Sequence, residues 1–127
     1  MAVIELTADN LDATIRDNDI VLIDFWAEWC GPCHNFAPVF EKVSGKHPDI
    51  VFGKVDIEDQ QEIAQRFGIR SIPTLAVFRE QTLIMLEAGA MPESTLEKAI
   101  ESIRGLDMEH VKAELAERAK KAREQAG

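Results

Sequence analysis

The residues best suited to chemistry in this sequence are Cys30 and Cys33, the only cysteines among its 127 residues. They stand in the run Cys30-Gly31-Pro32-Cys33-His34, a C-x-x-C-H pattern. Three kinds of site use such a pattern: a covalently attached haem, a metal centre with thiolate ligands, and a dithiol that cycles with a disulfide.

The surroundings of the motif argue against haem and against a closed metal site. The motif directly follows an apolar strand and opens a helix in a compact unit, whereas a haem is bulky. A structural zinc site needs four ligands, and the pair with His34 supplies three at most. His47 and His110 lie far along the chain. Two buried structural thiols are the remaining alternative, because free cysteines often behave as small hydrophobic residues.

A redox dithiol has a physical basis at this position. At the start of a helix, free backbone N–H groups and the helix dipole stabilise an anion, which favours the Cys30 thiolate. Cys33 lies one turn further on, within reach of the Cys30 sulfur and less exposed. Cys30 can attack a substrate disulfide, and Cys33 can then attack the mixed disulfide and release the reduced substrate. Gly31 permits a tight turn, and Pro32 suits the first turn of a helix.

Two apolar segments flank the motif. Residues 20–26 (IVLIDFW) and 50–56 (IVFGKVD) are typical of strands that are buried on both faces. Between them, Phe36, Val39, Phe40 and Val43 recur at helical spacing. This order predicts a strand–helix–strand unit with parallel strands and a right-handed crossover.

Shorter elements precede and follow this unit. Residues 3–6 form a strand candidate, and Thr7 is the predicted N-cap of a helix that ends near residue 17. Residues 60–68 predict a short helix that Gly68 terminates.

The C-terminal half of the predicted sheet is a hairpin. Residues 74–78 and 83–89 read as antiparallel strands on either side of REQT. A last helix ends near residue 104, and begins either with Pro92 in its first turn or with a capping box of Ser94 and Glu97. The sum is an α/β fold with a mixed sheet of about five strands and about four helices on its two faces.

Composition limits the class of protein. The length fits one domain, and the net charge of −9 is carried by residues 1–104, with 9 basic and 18 acidic residues. An acidic body is a poor match to nucleic acid. No apolar run approaches the roughly 18 residues that span a bilayer, and the N-terminal residues do not look like a signal peptide. We therefore expect a cytoplasmic protein without membrane contact.

The motif segments together resemble the thioredoxin family. DFWAEWCGPCHNFAP is nearly the family's active-site segment, and IRSIPTLAVF matches its second landmark. FGKVDIED and EAGAMPESTLEKAI follow in the family's order and spacing, so that the resemblance covers residues 1 to about 104. It implies a thioredoxin fold and a protein-disulfide reductase.

The resemblance implies a role for individual residues. Cys30 corresponds to the nucleophile and Cys33 to the resolving thiol, which form the redox-active disulfide. Asp24 corresponds to a buried carboxylate that assists proton transfer at the resolving cysteine, and Lys54 to a lysine near it. Asp24 also interrupts an apolar run, so desolvation is expected to raise its pKa. A buried Asp24 satisfied by backbone donors and a solvated Lys54 are the alternatives.

A substrate-binding rim is also implied. Pro73 corresponds to a cis-proline that faces the cysteines and leaves the Ile72 backbone free to pair with an extended substrate segment. The apolar rim around Cys30 would comprise Trp29, Gly31, Pro32, Ile72, Gly89 and Ala90. Trp26 would pack beneath it, which is also what an ordinary core residue would do.

Three features depart from the family pattern. His34 stands where Lys is usual, and because a histidine can change its charge near neutral pH, we expect either a pH-dependent influence on Cys30 or an inert surface residue. REQT lacks the usual glycine, which predicts a longer or differently shaped turn. Residues 106–127 predict an appended helix, capped by Asp107, that docks on the body (residues 1–105) or on a partner.

The sequence therefore predicts a thioredoxin-family reductase of disulfide-containing proteins. We expect a monomer without a tightly bound cofactor or metal, and an NADPH-dependent thioredoxin reductase that recharges it. A thiol oxidase or isomerase of the same fold is one alternative. A binding or holdase module that acts through the C-terminal helix is another.

Overall fold

The computed structural model describes residues 2–126. Its elements in chain order are β1 (Val3–Glu5), α1 (Leu11–Asp17), β2 (Ile20–Trp26), α2 (Gly31–Lys46), β3 (Val51–Asp56), α3 (Gln61–Arg66), β4 (Thr74–Arg79), β5 (Thr82–Ala88), α4 (Glu93–Arg104) and α5 (Met108–Ala126). The predicted α/β class, the five strands and the extra C-terminal helix are confirmed.

The strands form one mixed sheet in the order β1-β3-β2-β4-β5. β3 is parallel to β1 and to β2, whereas β4 is antiparallel to both β2 and β5. The predicted strand–helix–strand unit is thus β2-α2-β3. The central strand β2 ends at Trp26, a few residues before the cysteine motif.

Helices cover both faces of the sheet, and alternate side chains of β2 belong to two different hydrophobic cores. Leu22 packs with Phe36 and Phe40 of α2 and with α4 residues on one face. Val21, Ile23 and other alternate side chains pack against α1 and α3 on the opposite face. Successive side chains of a strand point to opposite faces, so a continuous apolar run is what a doubly covered strand requires.

Two predicted helix starts are wrong. Thr7 does not cap α1, because Asn10 closes a separate turn first: its side chain accepts from the Thr7 N–H at 2.8 Å and donates to the Glu5 carbonyl at 2.9 Å. Asn10 itself is then the residue before α1. Pro92 likewise precedes α4 rather than lying in its first turn. The alternative, a capping box of Ser94 and Glu97, is also wrong, because no side-chain hydrogen bond caps that helix.

The hairpin turn is tighter than predicted. β4 extends to Arg79 and β5 begins at Thr82, so only Glu80 and Gln81 form the turn, with φ values of 49° and 67°. Both are left-handed, as a two-residue hairpin turn of this kind requires. The Glu80 N–H donates to the Asp19 carbonyl at 2.8 Å, and this contact holds the turn without a glycine.

Helix α5 docks through its first turn. Met108 is buried, Val111 is half-buried, and residues 112–126 are exposed. Lys112 pairs with Glu80 of the hairpin turn at 2.7 Å. Arg79 supports the junction by donating to the carbonyls of Ile103 and Leu106 at 2.7 and 3.0 Å. Within residues 2–126, no helix has the length and apolar character needed to cross a membrane.

Candidate redox site

The cysteine pair lies where β2 leads into α2. Cys30 is the N-cap of α2, and its sulfur accepts from the Cys33 N–H at 3.2 Å. The two cysteines are joined by a disulfide, with their Cα atoms 5.3 Å apart. Both are nearly covered, at 4% exposure for Cys30 and 2% for Cys33. The sulfur of Cys30 therefore lies at the helix end, where a thiolate is stabilised.

Asp24 lies on the buried central strand, two residues before that strand ends. Its side chain is 3% exposed, and its Oδ1 has no hydrogen-bond partner among the described residues. Burial raises the pKa of Asp24 from 3.8 to about 7, an effect that the positive charge of Lys54 partly offsets. The predicted alternative, in which backbone N–H groups donate to the Asp24 carboxylate, does not hold for Oδ1.

Lys54 and Trp26 are neighbours of this carboxylate. Lys54 is the residue of β3 directly opposite Asp24 in the parallel pairing. Its ammonium group lies 5.3 Å from the centre of the Trp26 ring, a cation–π contact. Trp26 itself packs against the cluster of Ala27, Cys30 and Cys33, as predicted.

A cavity of about 220 Å³ joins these groups. It is lined by Asp24, Trp26, Glu28, Cys33, His34, Ala37 and Lys54. Asp24 and Cys33 are buried, whereas Glu28, His34 and Ala37 are exposed. The cavity therefore leads from Cys33 and the Asp24 carboxylate to solvent.

The segment before β4 approaches the disulfide from the other side. The Ile72–Pro73 bond is cis, as predicted. The carbonyl oxygen of Ile72 lies 3.7 Å from the Cys30 sulfur. Gly89, with φ +106°, donates its N–H to the Pro73 carbonyl at 2.8 Å, and Ala90 follows it at the exposed surface. Gly31 and Pro32 are exposed at the start of α2.

A shallow apolar groove lies beside Cys30. It has a volume of about 270 Å³ and is lined by Trp29, Ile57, Ile69, Arg70, Ser71 and Ile72. Trp29 is 67% exposed. Its indole N–H donates to the Glu58 carboxylate at 2.7 Å, and this bond holds the ring at the edge of the groove.

Sequence reasoning missed Glu58 and most of this groove. Glu58 follows β3, and Trp29 follows the neighbouring parallel strand β2. Because the carboxyl ends of parallel strands meet at one edge of a sheet, the pairing of β2 with β3 was the signal available in the sequence. This pairing predicts that the loops after β2 and β3 lie side by side, although it does not predict the hydrogen bond between Trp29 and Glu58.

Comparison with known proteins identifies the family. The sequence model described as Thioredoxin matches residues 2–102. The chain belongs to the thioredoxin family. A protein named putative thioredoxin 2 from Streptomyces coelicolor is 55% identical over 114 residues, which cover 90% of this chain and 85% of the relative. That alignment is longer than residues 1–105, so it includes part of the C-terminal extension.

More distant thioredoxins agree. The thioredoxin of Bacillus subtilis is 35% identical over 101 residues, covering 79% of this chain and 96% of that protein. A mutant thioredoxin from Halobacterium salinarum superposes with a TM-score of 0.76 at 34% identity, covering 82% of this chain and 92% of that one. Thioredoxin f from spinach chloroplast gives a TM-score of 0.76 at 30% identity, covering 82% and 95%.

The family and the cysteine pair define the activity. The chain is a thiol-disulfide oxidoreductase that reduces protein disulfides by dithiol–disulfide exchange. Its redox centre is the Cys30–Cys33 disulfide. Across residues 2–126, no cluster of three or more histidine, cysteine, aspartate or glutamate side chains has the geometry to hold a metal ion.

Proposed function

We propose that Cys30 is the attacking thiol, that Cys33 resolves the mixed disulfide, and that Asp24 accepts the proton that Cys33 loses. The observation that carries the last role is that Asp24 and Cys33 line the same cavity. The buried Oδ1 of Asp24 also has no hydrogen-bond partner among the described residues. Its pKa of about 7 suits a group that takes and returns a proton near neutral pH. Lys54 tunes this carboxylate through its charge.

The groove beside Cys30 would receive the substrate. Trp29 and Ile72 offer apolar contact, and the Ile72 backbone runs past the sulfur for an extended peptide to pair with. Gly31, Pro32, Gly89 and Ala90 complete the rim. We propose that an NADPH-dependent thioredoxin reductase returns the disulfide to the dithiol, and that this takes place in the cytoplasm.

The chain has two parts in this proposal. Residues 1–105 form the catalytic domain and hold every residue assigned above, so one copy suffices for turnover and the protein acts as a monomer. The second part, residues 106–127, contains helix α5 (Met108–Ala126), which is attached by Met108 and by the Lys112–Glu80 pair. Truncation after Gly105 is expected to lower the melting temperature and leave the reductase turnover of the folded protein unchanged.

Trapping experiments test the assignment of the two thiols. Cys33→Ser retains the attacking thiol and loses the resolving one, so incubation with a disulfide-bonded protein should accumulate a stable mixed disulfide through Cys30. Cys30→Ser should form no such adduct, and turnover of both variants should fall on the order of 10³-fold or more, the scale of losing a nucleophile. The reverse pattern, with adducts at Cys33 only, would contradict the assignment.

A further inference from the structure

The Asp24 cavity has a closed end and an open end. At the closed end lie Asp24 and Cys33, which are 3% and 2% exposed. The exposed lining residues Glu28, His34 and Ala37 mark the open end. Its volume of about 220 Å³ exceeds the roughly 30 Å³ that one water occupies in the liquid. Water can therefore connect the carboxylate to the residues at the open end.

His34 is held at this open end in a defined tautomer. Its Nε2 lies 2.6 Å from the backbone carbonyl oxygen of Glu28. A carbonyl oxygen only accepts, so Nε2 must carry the hydrogen of the neutral ring. The lone pair of the neutral imidazole is therefore on Nδ1. The contact with Glu28 fixes the ring and leaves its basic nitrogen available.

The reaction requires a proton to leave the closed end. When Cys33 attacks the mixed disulfide, its thiol proton must be transferred, and Asp24 is the buried carboxylate that shares its cavity. Asp24 must then release that proton before the next cycle. Lys54 is a cation and the Trp26 indole is only a donor, so the bases left among the lining residues are the Glu28 carboxylate and the His34 imidazole. Of these, the imidazole is the one whose position a hydrogen bond fixes, through the Glu28 carbonyl.

We propose that His34 relays this proton between the Asp24 cavity and bulk solvent, an inference that rests on the role proposed above for Asp24. The Cys33 thiol passes its proton to the Asp24 carboxylate, and the resulting carboxylic acid passes it through cavity water to Nδ1 of His34. The imidazolium then gives it to solvent. Each step moves one proton, and Asp24 and His34 return to their starting protonation. The Cys33 sulfur becomes bonded to Cys30 as the bond between Cys30 and the substrate breaks, and the substrate leaves as a thiolate.

The charged and titratable groups around the relay are few. Asp24 faces the cavity from β2 and Lys54 from β3, Glu28 lies in the loop between β2 and α2, and Cys33 precedes His34 on α2. The positive charge of Lys54 opposes a second cation in the cavity, which helps the imidazolium to pass its proton outward. The Glu28 carbonyl stabilises both the neutral and the protonated ring, because Nε2 donates in each.

The test replaces His34 by a side chain that keeps the contact but holds no base. In His34→Gln, the amide N–H can take the place of the Nε2–H at the Glu28 carbonyl. Oxidation of the reduced protein by excess disulfide substrate, measured by stopped flow in dilute buffer at neutral pH, should be slowed about 10-fold. This is less than the 10²-fold or more of losing a full general acid or base, since water still reaches the cavity. Added imidazole should restore the rate of the variant and leave the parent unchanged.

A matched control and a second variant keep the outcomes distinct. His110→Gln removes an exposed histidine of α5 that pairs with Glu114, and it should oxidise like the parent with or without imidazole. A His34→Gln rate equal to the parent's, or a slow rate that imidazole does not restore, would overturn the relay. If Asp24→Asn in the same assay also kept the parent's rate, the proposed role of Asp24 would fail. If Asp24→Asn alone were slow, only the relay would fail.

Discussion

The charged side chains near the two ends of helix α2 differ in burial and in pairing. At the N-terminal end, the Asp24 carboxylate is buried, and one of its oxygens has no hydrogen-bond partner among the described residues. At the C-terminal end, charges are exposed and paired: Lys42 and Lys46 with Glu93, and Arg104 with Asp49, at 2.7 to 3.0 Å. The His47 ring lies between two side chains of α4: its Nε2 contacts the Glu97 carboxylate, and its Nδ1 contacts the Arg104 guanidinium.

The pKa values follow this difference. Burial raises the pKa of Asp24 to about 7, whereas the hydrogen bond from Arg104 lowers the pKa of Asp49 to about 2. The Asp24 carboxylate therefore changes its protonation near neutral pH, whereas the Asp49 carboxylate stays ionised there. The buried Asp24 carboxylate can therefore exchange a proton near neutral pH, at a cost in folding stability. The exposed ion pairs of Lys42 and Lys46 with Glu93 instead link α2 to α4 and stay ionised there.

The largest effect is expected from Asp24→Asn. Below pH 3.8 Asp24 holds a proton in both the folded and the unfolded state, and between 3.8 and about 7 it does so only in the folded state. The stability of the parent should therefore fall as pH rises through this window, by up to about 4 kcal/mol. The asparagine cannot ionise, so the variant should be more stable than the parent at pH 8 and similar at pH 3. Urea unfolding at several pH values measures this, and a difference that stays constant with pH would contradict it.

An intermediate effect is expected from Lys54→Met. The positive charge of Lys54 lowers the pKa of Asp24, so its removal should move the pH dependence of reductase turnover to higher pH, by about one pH unit or less. Lys42→Met is the matched control, because Lys42 is an exposed lysine that pairs with Glu93 far from the cysteines. Equal pH profiles for the Lys54 variant and the parent would show that this charge does not act on the Asp24 carboxylate during turnover.

The smallest effect is expected from Asp49→Asn. Its pKa is lowered in the folded state, so its contribution to stability is present above pH 3.8 and is lost as pH falls toward 2. This slope is opposite in sign to that of Asp24. Because the Asp49 side chain is 61% exposed, solvent screens the pair and the change should be small. Acid unfolding of the parent and the variant between pH 5 and 2 measures this change in stability. Altered turnover of the variant at pH 7 would contradict the view that the charges at the C-terminal end of α2 take no part in the reaction.

The sequence predicted those features that depend on local pattern. The apolar run of β2 required burial on both faces, and the aspartate within it was visible as an exception. The helix start at Thr7 was wrong because the Asn10 side chain reaches back to close a turn first. The Glu80–Gln81 turn also escaped prediction, since the Asp19 carbonyl that stabilises it lies far from Glu80 in the sequence.

The site was predictable where one residue carries the chemistry and unpredictable where two loops meet. Cys30, Cys33 and Asp24 stand out by type and spacing alone. The bond between Trp29 and Glu58 joins loops that only the β2–β3 pairing brings together. The contact of His34 with the Glu28 carbonyl depends on how the β2–α2 loop folds back on the first turn of the helix.

The most direct test of the redox assignment is the equilibrium of the Cys30–Cys33 pair against defined dithiothreitol buffers. Trp26 packs against the pair and Trp29 lies next to Cys30, so their fluorescence should report the redox state. A reductase requires a couple more reducing than glutathione, so that the dithiol is the stable form in a reducing cell. We predict that result. A couple markedly more oxidising than glutathione would mean that this site forms or shuffles disulfides, and would contradict the assignment.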